Sequence, residues 1–147
     1  MIFVFLLDFG LFVLVRRPLS AALGLESRDS YVARMQPEYA QALSLVEETP
    51  SSAYIYLINE SRSYWMERRI QPDPIHDNLA HDFYVYPSNE LLLDAWRARG
   101  YTHILVRNVS SYMESKDENV DKDRLSSLMV ELIKLDETTD FILFEIP

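Results

Sequence analysis

Histidine and aspartate form two adjacent pairs in the middle of the chain, His76-Asp77 and His81-Asp82. Imidazole and carboxylate groups at this spacing are able to hold a zinc or manganese ion. The segment, residues 70–82, also contains prolines and reads as a surface loop, where histidine and aspartate are common. Because no cysteine and no carboxylate from a further strand complements the two pairs, we expect no metal ion here and no other cofactor.

A second group of polar and aromatic residues lies just beyond the carboxyl ends of two predicted strands: Glu60, Arg62, Tyr64, Trp65, Arg107 and Asn108. In parallel α/β sheets, ligands bind in the cleft outside these strand ends. An arginine beside aromatic rings is able to hold a phosphate, or to stack on a sugar or a lipid headgroup. The alternative is that these residues cap the strand ends and form surface ion pairs. We predict the substrate-binding residues to be Glu60, Arg62, Tyr64, Arg107 and Asn108.

Other catalytic signatures are absent from the sequence. The glycines Gly10, Gly24 and Gly100 are too far apart to form a phosphate-binding loop. No Gly-x-Ser-x-Gly elbow supplies a hydrolase nucleophile. His103 lies inside an apolar run, where a hydrogen-bonded core histidine is expected rather than a ligand. No catalytic residue is therefore predicted.

Composition limits the class of protein. The 147 residues, of which 48% are hydrophobic and 25% charged, suit one globular domain rather than a disordered chain. Acidic residues outnumber basic ones 23 to 14, and the resulting net charge of −9 repels the phosphates of nucleic acids. The absence of cysteine excludes disulfides and thiolate zinc sites. We expect no nucleic-acid partner.

The chain opens with an almost unbroken apolar run, residues 1–15. As a helix it would be about 22 Å long at 1.5 Å per residue, shorter than a hydrocarbon core of about 30 Å. The run suits a secretory signal peptide, a buried helix of a globular domain, or the final half of a transmembrane helix. We favour the last, because Arg16-Arg17-Pro18 resembles an interfacial stop. The opposing observation is Asp8, a charge in the middle of the run.

From residue 27 onward, helical and strand patterns alternate. Helices are predicted over residues 27–35, 37–48, 88–99 and 121–133, with Ser27 and Ser88 as caps and Gly100 ending the third helix. Strands are predicted over residues 53–58, buried on both faces, and over residues 83–86, 102–106 and 141–146, while residues 59–82 are predicted to be irregular. Such alternation with short links is typical of a three-layer α/β sandwich around a small, mainly parallel sheet. The predicted organisation is the end of a transmembrane helix, residues 1–17, followed by a soluble α/β domain, residues 18–147.

Several short motifs follow one another along the chain: Gly24-Leu25-Glu26-Ser27-Arg28-Asp29-Ser30-Tyr31, then Tyr39, then Glu60-Ser61-Arg62-Ser63-Tyr64-Trp65, then Gly100-Tyr101-Thr102-His103-Ile104-Leu105-Val106, and the closing Phe141-Ile142-Leu143-Phe144-Glu145-Ile146. In this order they resemble the C-terminal soluble domain of bacterial multi-span glycosyltransferases related to the protein O-mannosyltransferases (GT-C type). The resemblance covers residues 10–147. It implies a parent enzyme that takes sugar from a polyprenyl-phosphate donor on the outer side of the membrane.

The resemblance implies that the catalytic part lies elsewhere. In that family the catalytic carboxylate is in the first external loop, between early membrane helices, and Asp8 does not match that position. The implied function is an extracytoplasmic accessory domain, inactive alone, whose partners are the missing transmembrane helices and a membrane lipid or the polyprenyl-phosphate sugar. The topology of that family would place residues 18–147 outside the cytoplasm. Arg16 and Arg17 would favour the cytoplasmic side, because positive residues tend to stay there, but we give the resemblance more weight. The alternative is a free-standing, membrane-tethered binding or structural module unrelated to sugar transfer.

Overall fold

The structure, a computed structural model, describes residues 20, 22–74, 78–107 and 121–147. In this part of the chain the helices are α1 (Arg28–Met35), α2 (Pro37–Glu47), α3 (Asn78–Val85), α4 (Asn89–Ala98) and α5 (Lys122–Glu131). The strands are β1 (Tyr54–Ile58), β2 (Arg69–Gln71), β3 (His103–Arg107), β4 (Ile133–Glu137) and β5 (Phe141–Glu145). The predicted mixture of helices and strands is confirmed. By its contacts the chain divides into two compact units, Met1–Ala40 and Gln41–Pro147.

The five strands form one sheet in the order β2-β1-β3-β5-β4. Strand β1 pairs in parallel with β2 and β3, whereas β5 pairs antiparallel with β3 and β4. The prediction of a mainly parallel sheet is therefore wrong, because the sheet is mixed. The cause is the short turn at residues 138–140, closed by a hydrogen bond from Thr138 N to Phe141 O at 2.8 Å. A turn of this length joins only antiparallel neighbours.

Strand β4 was not predicted, and the predicted helix over residues 121–133 extends too far by including Ile133. Helix α5 ends at Glu131, and after Leu132 the five residues Ile133–Glu137 form an edge strand whose side chains are all exposed. The apolar residues Ile133 and Leu135 alternate with Lys134 and Asp136, which is the period of a strand rather than of a helix. The helical spacing over residues 125–133 concealed this alternation.

The predicted strand at residues 83–86 is wrong as well. These residues belong mostly to helix α3, in which Leu79 and Phe83 are four residues apart and both buried. The aromatic run favours a strand by propensity, but burial of one helical face decides the structure. The preceding segment, which was predicted to be irregular, contains the short strand β2.

The predicted helix caps are confirmed. Ser27 Oγ accepts a hydrogen bond from Ser30 N at 3.2 Å, and Ser88 Oγ accepts one from Leu91 N at 3.3 Å. Such caps satisfy backbone donors that have no partner inside a helix. Gly100, with φ +86°, follows α4 in the left-handed conformation that favours glycine.

The central strands β1 and β3 are buried on both faces. On one face their side chains join a single apolar cluster with helices α3, α4 and α5, whose largest members include Tyr56, Ile58, Phe83, Trp96, Ile104 and Phe144. On the other face Ile55, Leu57 and Leu105 are 0% exposed. This agrees with the prediction that residues 53–58 form a strand without an exposed face.

None of the helices in the described residues is both long and apolar enough to cross a bilayer. The predicted transmembrane segment, residues 1–17, lies outside the described residues.

Candidate functional site

The structure brings Glu60, Arg62 and Arg107 together at one edge of the sheet. Strands β1 and β3 are parallel, so the residues that follow their carboxyl ends meet there. Arg62 Nε donates to Glu60 Oε1 at 2.8 Å and Arg62 Nη2 donates to Oε2 at 2.6 Å, a two-point contact. Arg107 Nη1 lies 3.7 Å from Glu60 Oε2. We call these three residues the strand-end cluster.

Neighbouring arginines stabilise the ionised form of Glu60. The residue is only 1% exposed. Burial would raise the pKa of the carboxyl. The hydrogen bonds from Arg62 and the positive charges of Arg62 and Arg107 have the larger opposite effect, so the pKa lies below its ordinary value. Glu60 is therefore a carboxylate at neutral pH, and two guanidinium cations face this one anion.

Asp73, which follows strand β2, supports the same edge of the sheet and was missed in the sequence. It is fully buried, and its carboxylate accepts hydrogen bonds from the backbone N–H of Asn59 at 3.1 Å and of Asn78 at 3.3 Å. Its own N–H donates to the carbonyl oxygen of Glu60 at 3.0 Å. Asn59 has φ +59°, a left-handed conformation that asparagine tolerates. The missed signal was β2 itself, three residues between polar loops.

Tyr64 and Asn108 complete the set of predicted binding residues. Tyr64 is 58% exposed, and its ring packs edge-on against that of Trp65 with 4.8 Å between the centroids. Asn108 lies outside the described residues. That the predicted group binds substrate stays a prediction.

Asp82, considered above as a metal ligand, is instead the centre of a buried hydrogen-bond network. Its side chain is 3% exposed. Its Oδ2 atom accepts hydrogen bonds from the Tyr56 hydroxyl at 3.0 Å and from Trp96 Nε1 at 2.9 Å. Its Oδ1 atom has longer contacts, with Arg99 Nη1 at 3.4 Å and His81 Nδ1 at 3.9 Å.

Of the other three residues considered as metal ligands, only His81 is among the described residues, and it contacts Asp82 at the longer distance of 3.9 Å. His81 has a side chain that is 67% exposed, and His76 with Asp77 lies outside the described residues. Within residues 20, 22–74, 78–107 and 121–147, no group of three or more histidine, aspartate or glutamate residues is placed to hold a metal ion.

The hydroxyl of Tyr56 keeps its proton and donates a hydrogen bond to Asp82. Burial raises its pKa well above the ordinary value, and the negative charge and hydrogen bond of Asp82 raise it further. The ring of Tyr56 also stacks on that of Tyr101, with 5.0 Å between the centroids and 11° between the planes.

A pocket of about 260 Å³ opens beside this network, next to the edge strand β2. Its walls carry the rings of Tyr56 and Tyr101, the carboxylate of Asp82 and the guanidinium of Arg99, together with Gln71, Asn78 and His81. We call it the Asp82 pocket. Nothing in the sequence grouped these residues, because they come from two strands, a helix, a helix end and a loop.

His103 is a buried histidine with a hydrogen-bond partner, as the sequence predicts. It is 6% exposed, and its Nδ1 atom lies 2.8 Å from Thr102 Oγ1. Burial lowers the pKa of His103, and the nearby charge of Glu145 only partly opposes this effect. The neutral imidazole is therefore favoured in the folded protein.

Comparison of the chain with protein-family models, with curated proteins and with solved structures finds no match. The structure defines an α/β domain with a mixed five-stranded sheet. The resemblance to membrane glycosyltransferases stays a prediction.

Proposed function

We propose that residues 18–147 form an extracytoplasmic accessory domain of a membrane glycosyltransferase that uses a polyprenyl-phosphate sugar. The domain folds as a three-layer sandwich, and its strand-end cluster contacts the phosphate of the lipid-linked donor. The catalytic residues belong to the membrane part of the parent enzyme, and residues 1–17 are the end of its last transmembrane helix.

The observation that carries this proposal is the charge of the strand-end cluster. Arg62 and Arg107 have side chains about one quarter exposed, 25% and 24%, while Glu60 between them is buried. Two guanidinium groups therefore lie at the edge of a sheet where ligands commonly bind, and the same edge carries the buried carboxylates of Glu60 and Asp73. Guanidinium groups bind phosphate through a planar pair of donors. In a chain with a net charge of −9, this pair of guanidinium groups favours an anionic ligand.

The buried carboxylates support a role without catalysis. Glu60 is hydrogen-bonded to Arg62, Asp73 to two backbone N–H groups, and Asp82 to Tyr56 and Trp96. A general base must reach the proton that it removes, and these hydrogen bonds instead fix each carboxylate to neighbouring parts of the fold. The burial of strands β1 and β3 on both faces supports the three-layer arrangement, since a sheet covered on both sides requires two helical layers.

The test uses the full 147-residue chain in detergent micelles and a short polyprenyl phosphate, farnesyl phosphate, followed by isothermal titration calorimetry. Farnesol, which has the same apolar chain without the phosphate, is the control ligand. We expect farnesyl phosphate to bind, and Arg62→Gln and Arg107→Gln each to weaken its binding at least tenfold. The matched control variant is Arg28→Gln, because Arg28 is an exposed arginine whose side chain pairs with the adjacent Asp29.

Circular dichroism of each variant verifies that the fold is retained. Arg107→Gln keeps the test decisive if Arg62→Gln unfolds, because Arg107 contacts Glu60 at the longer distance of 3.7 Å. Equal binding of farnesol and farnesyl phosphate would contradict the proposal, because the apolar chain alone would then explain the affinity. Equal weakening by Arg28→Gln would also contradict it.

A further inference from the structure

Several residues that line the Asp82 pocket have side-chain oxygen atoms that can accept further hydrogen bonds. The side-chain amides of Gln71 and Asn78 both donate to the carbonyl oxygen of Pro72, at 3.3 and 3.2 Å, which orients the two amides. Within the described residues, the amide oxygens of Gln71 and Asn78 accept no hydrogen bond. In the same part of the chain, Asp82 Oδ2 has two short hydrogen bonds, whereas the contacts of Oδ1 are those at 3.4 and 3.9 Å. A carboxylate oxygen has room for two good donors.

The wall of the pocket carries charged groups of both signs. The carboxylate of Asp82 and the guanidinium of Arg99 are one negative and one positive group in contact. Arg99 is also held by a hydrogen bond to the Tyr86 hydroxyl at 3.0 Å, so its position is fixed. A free anion would meet Asp82 and the two amide oxygens, and a free cation would meet Arg99. The electrostatics therefore disfavour both kinds of ion.

A neutral ligand that carries several hydroxyl groups satisfies both conditions. Each hydroxyl donates one hydrogen bond and accepts others, so it pairs with the acceptors Gln71, Asn78 and Asp82 and with the donor Arg99. The stacked rings of Tyr56 and Tyr101 add an apolar wall beside these polar groups. The volume, about 260 Å³, lies just under the range of roughly 300–1,000 Å³ of pockets for drug-sized molecules. That size suits a single sugar ring.

We propose that the Asp82 pocket binds a neutral polyhydroxylated molecule of monosaccharide size. Gln71, Asn78 and Asp82 accept hydrogen bonds from its hydroxyl groups, and Arg99 donates one. This inference uses none of the residues of the strand-end cluster, and it stands independently of the proposed function.

The test is titration calorimetry of the full chain in detergent micelles with five probes: D-glucose, D-mannose, D-galactose, inorganic phosphate and methylammonium. The three hexoses differ in the orientation of single hydroxyl groups, so an ordered site should discriminate among them. We expect at least one hexose to bind saturably. Gln71→Leu and Arg99→Met should each weaken that binding at least tenfold, since they keep the bulk of the side chain and remove its polar group.

The matched control is Arg97→Met, on the same helix two positions before Arg99. Arg97 bonds to Asp94 and to the carbonyl oxygen of Pro147, outside the pocket. Hexose binding unchanged in Arg97→Met and weakened in both pocket variants supports the proposal. Three results would overturn it: no saturable binding of any hexose, binding that Arg97→Met weakens equally, or binding of phosphate or methylammonium that the pocket variants abolish.

Discussion

Replacement of Tyr56 by phenylalanine should destabilise the domain measurably, although it removes one oxygen atom. The hydroxyl donates to the buried carboxylate of Asp82 at 3.0 Å, and Tyr56 itself is 3% exposed. The variant leaves Asp82 Oδ2 with Trp96 Nε1 as its remaining close donor, at 2.9 Å.

The expected loss follows from the charge of the acceptor. Hydrogen bonds to charged groups contribute about 1.5–3 kcal/mol, against about 0.5–1.5 kcal/mol for neutral pairs. We therefore expect Tyr56→Phe to lower the free energy of unfolding by about 1.5–3 kcal/mol. At roughly 2–4 °C per kcal/mol for a chain of this size, the midpoint of thermal unfolding should fall by roughly 3–12 °C.

The assay is urea unfolding of the full chain in micelles, followed by far-ultraviolet circular dichroism at pH 7. The control is Tyr84→Phe, because Tyr84 is 89% exposed and its variant should stay within about 0.5 kcal/mol of the parent. In an Asp82→Asn background the same Tyr56→Phe change should lose only the smaller value of a neutral pair, about 0.5–1.5 kcal/mol.

Two results would refute this reasoning. If Tyr56→Phe changes the free energy of unfolding by less than about 0.5 kcal/mol, the hydrogen bond does not stabilise the fold beyond the level of an ordinary surface change. If the loss is the same with aspartate and with asparagine at position 82, the charge of the acceptor is not its source.

Three further variants test other parts of the fold. Because burial lowers the pKa of His103, stability should be lost as pH falls from about 6.5 through the lower folded pKa. His103→Gln should flatten this decline of the urea midpoint. Burial would raise the pKa of Glu60, but the hydrogen bonds from Arg62 hold it below the ordinary value of 4.5. The ionised carboxylate therefore stabilises the fold above pH 4.5, and this stabilisation is lost as the pH falls through the pKa of the folded protein. The stability gap between the parent and Glu60→Gln should accordingly narrow in acid unfolding curves between neutral pH and pH 3. Gly100→Ala should lower the free energy of unfolding by about 1–2 kcal/mol. The loss comes from backbone strain alone, because the Cβ of the alanine would lie 3.9 Å from the nearest atom, and Gly100→Asn should lose less.

Local patterns predicted the elements whose signals lie within one segment of sequence. The caps at Ser27 and Ser88 and the glycine after α4 were found because each depends on neighbouring residues only. Strand β4 was missed because its apolar residues continue the spacing of α5, and the helix-to-strand change depends on pairing with β5. The direction of β5 was likewise decided by the turn before it rather than by its own residues.

The strand-end cluster and the Asp82 network also differ in how well the sequence could predict them. The strand-end cluster could be predicted, since one rule about parallel strands places Glu60 and Arg107 together. The Asp82 network could not, because the donors Tyr56 and Trp96 are 26 and 14 residues from Asp82 in sequence. Their meeting depends on the packing of α3 and α4 against β1, which no local pattern contains.

The two proposed sites make opposite demands on their ligands, and this difference allows one crossed experiment. The strand-end cluster has two cations around one anion, whereas the Asp82 pocket pairs one cation with one anion. We therefore expect Arg62→Gln to weaken farnesyl phosphate and leave hexose binding unchanged, and Gln71→Leu to do the reverse. The sites use different residues, so the two losses should be independent. If either variant weakened both ligands equally while the fold stayed intact, the two sites would be one, and the separate assignment of charge and hydroxyl recognition would fail.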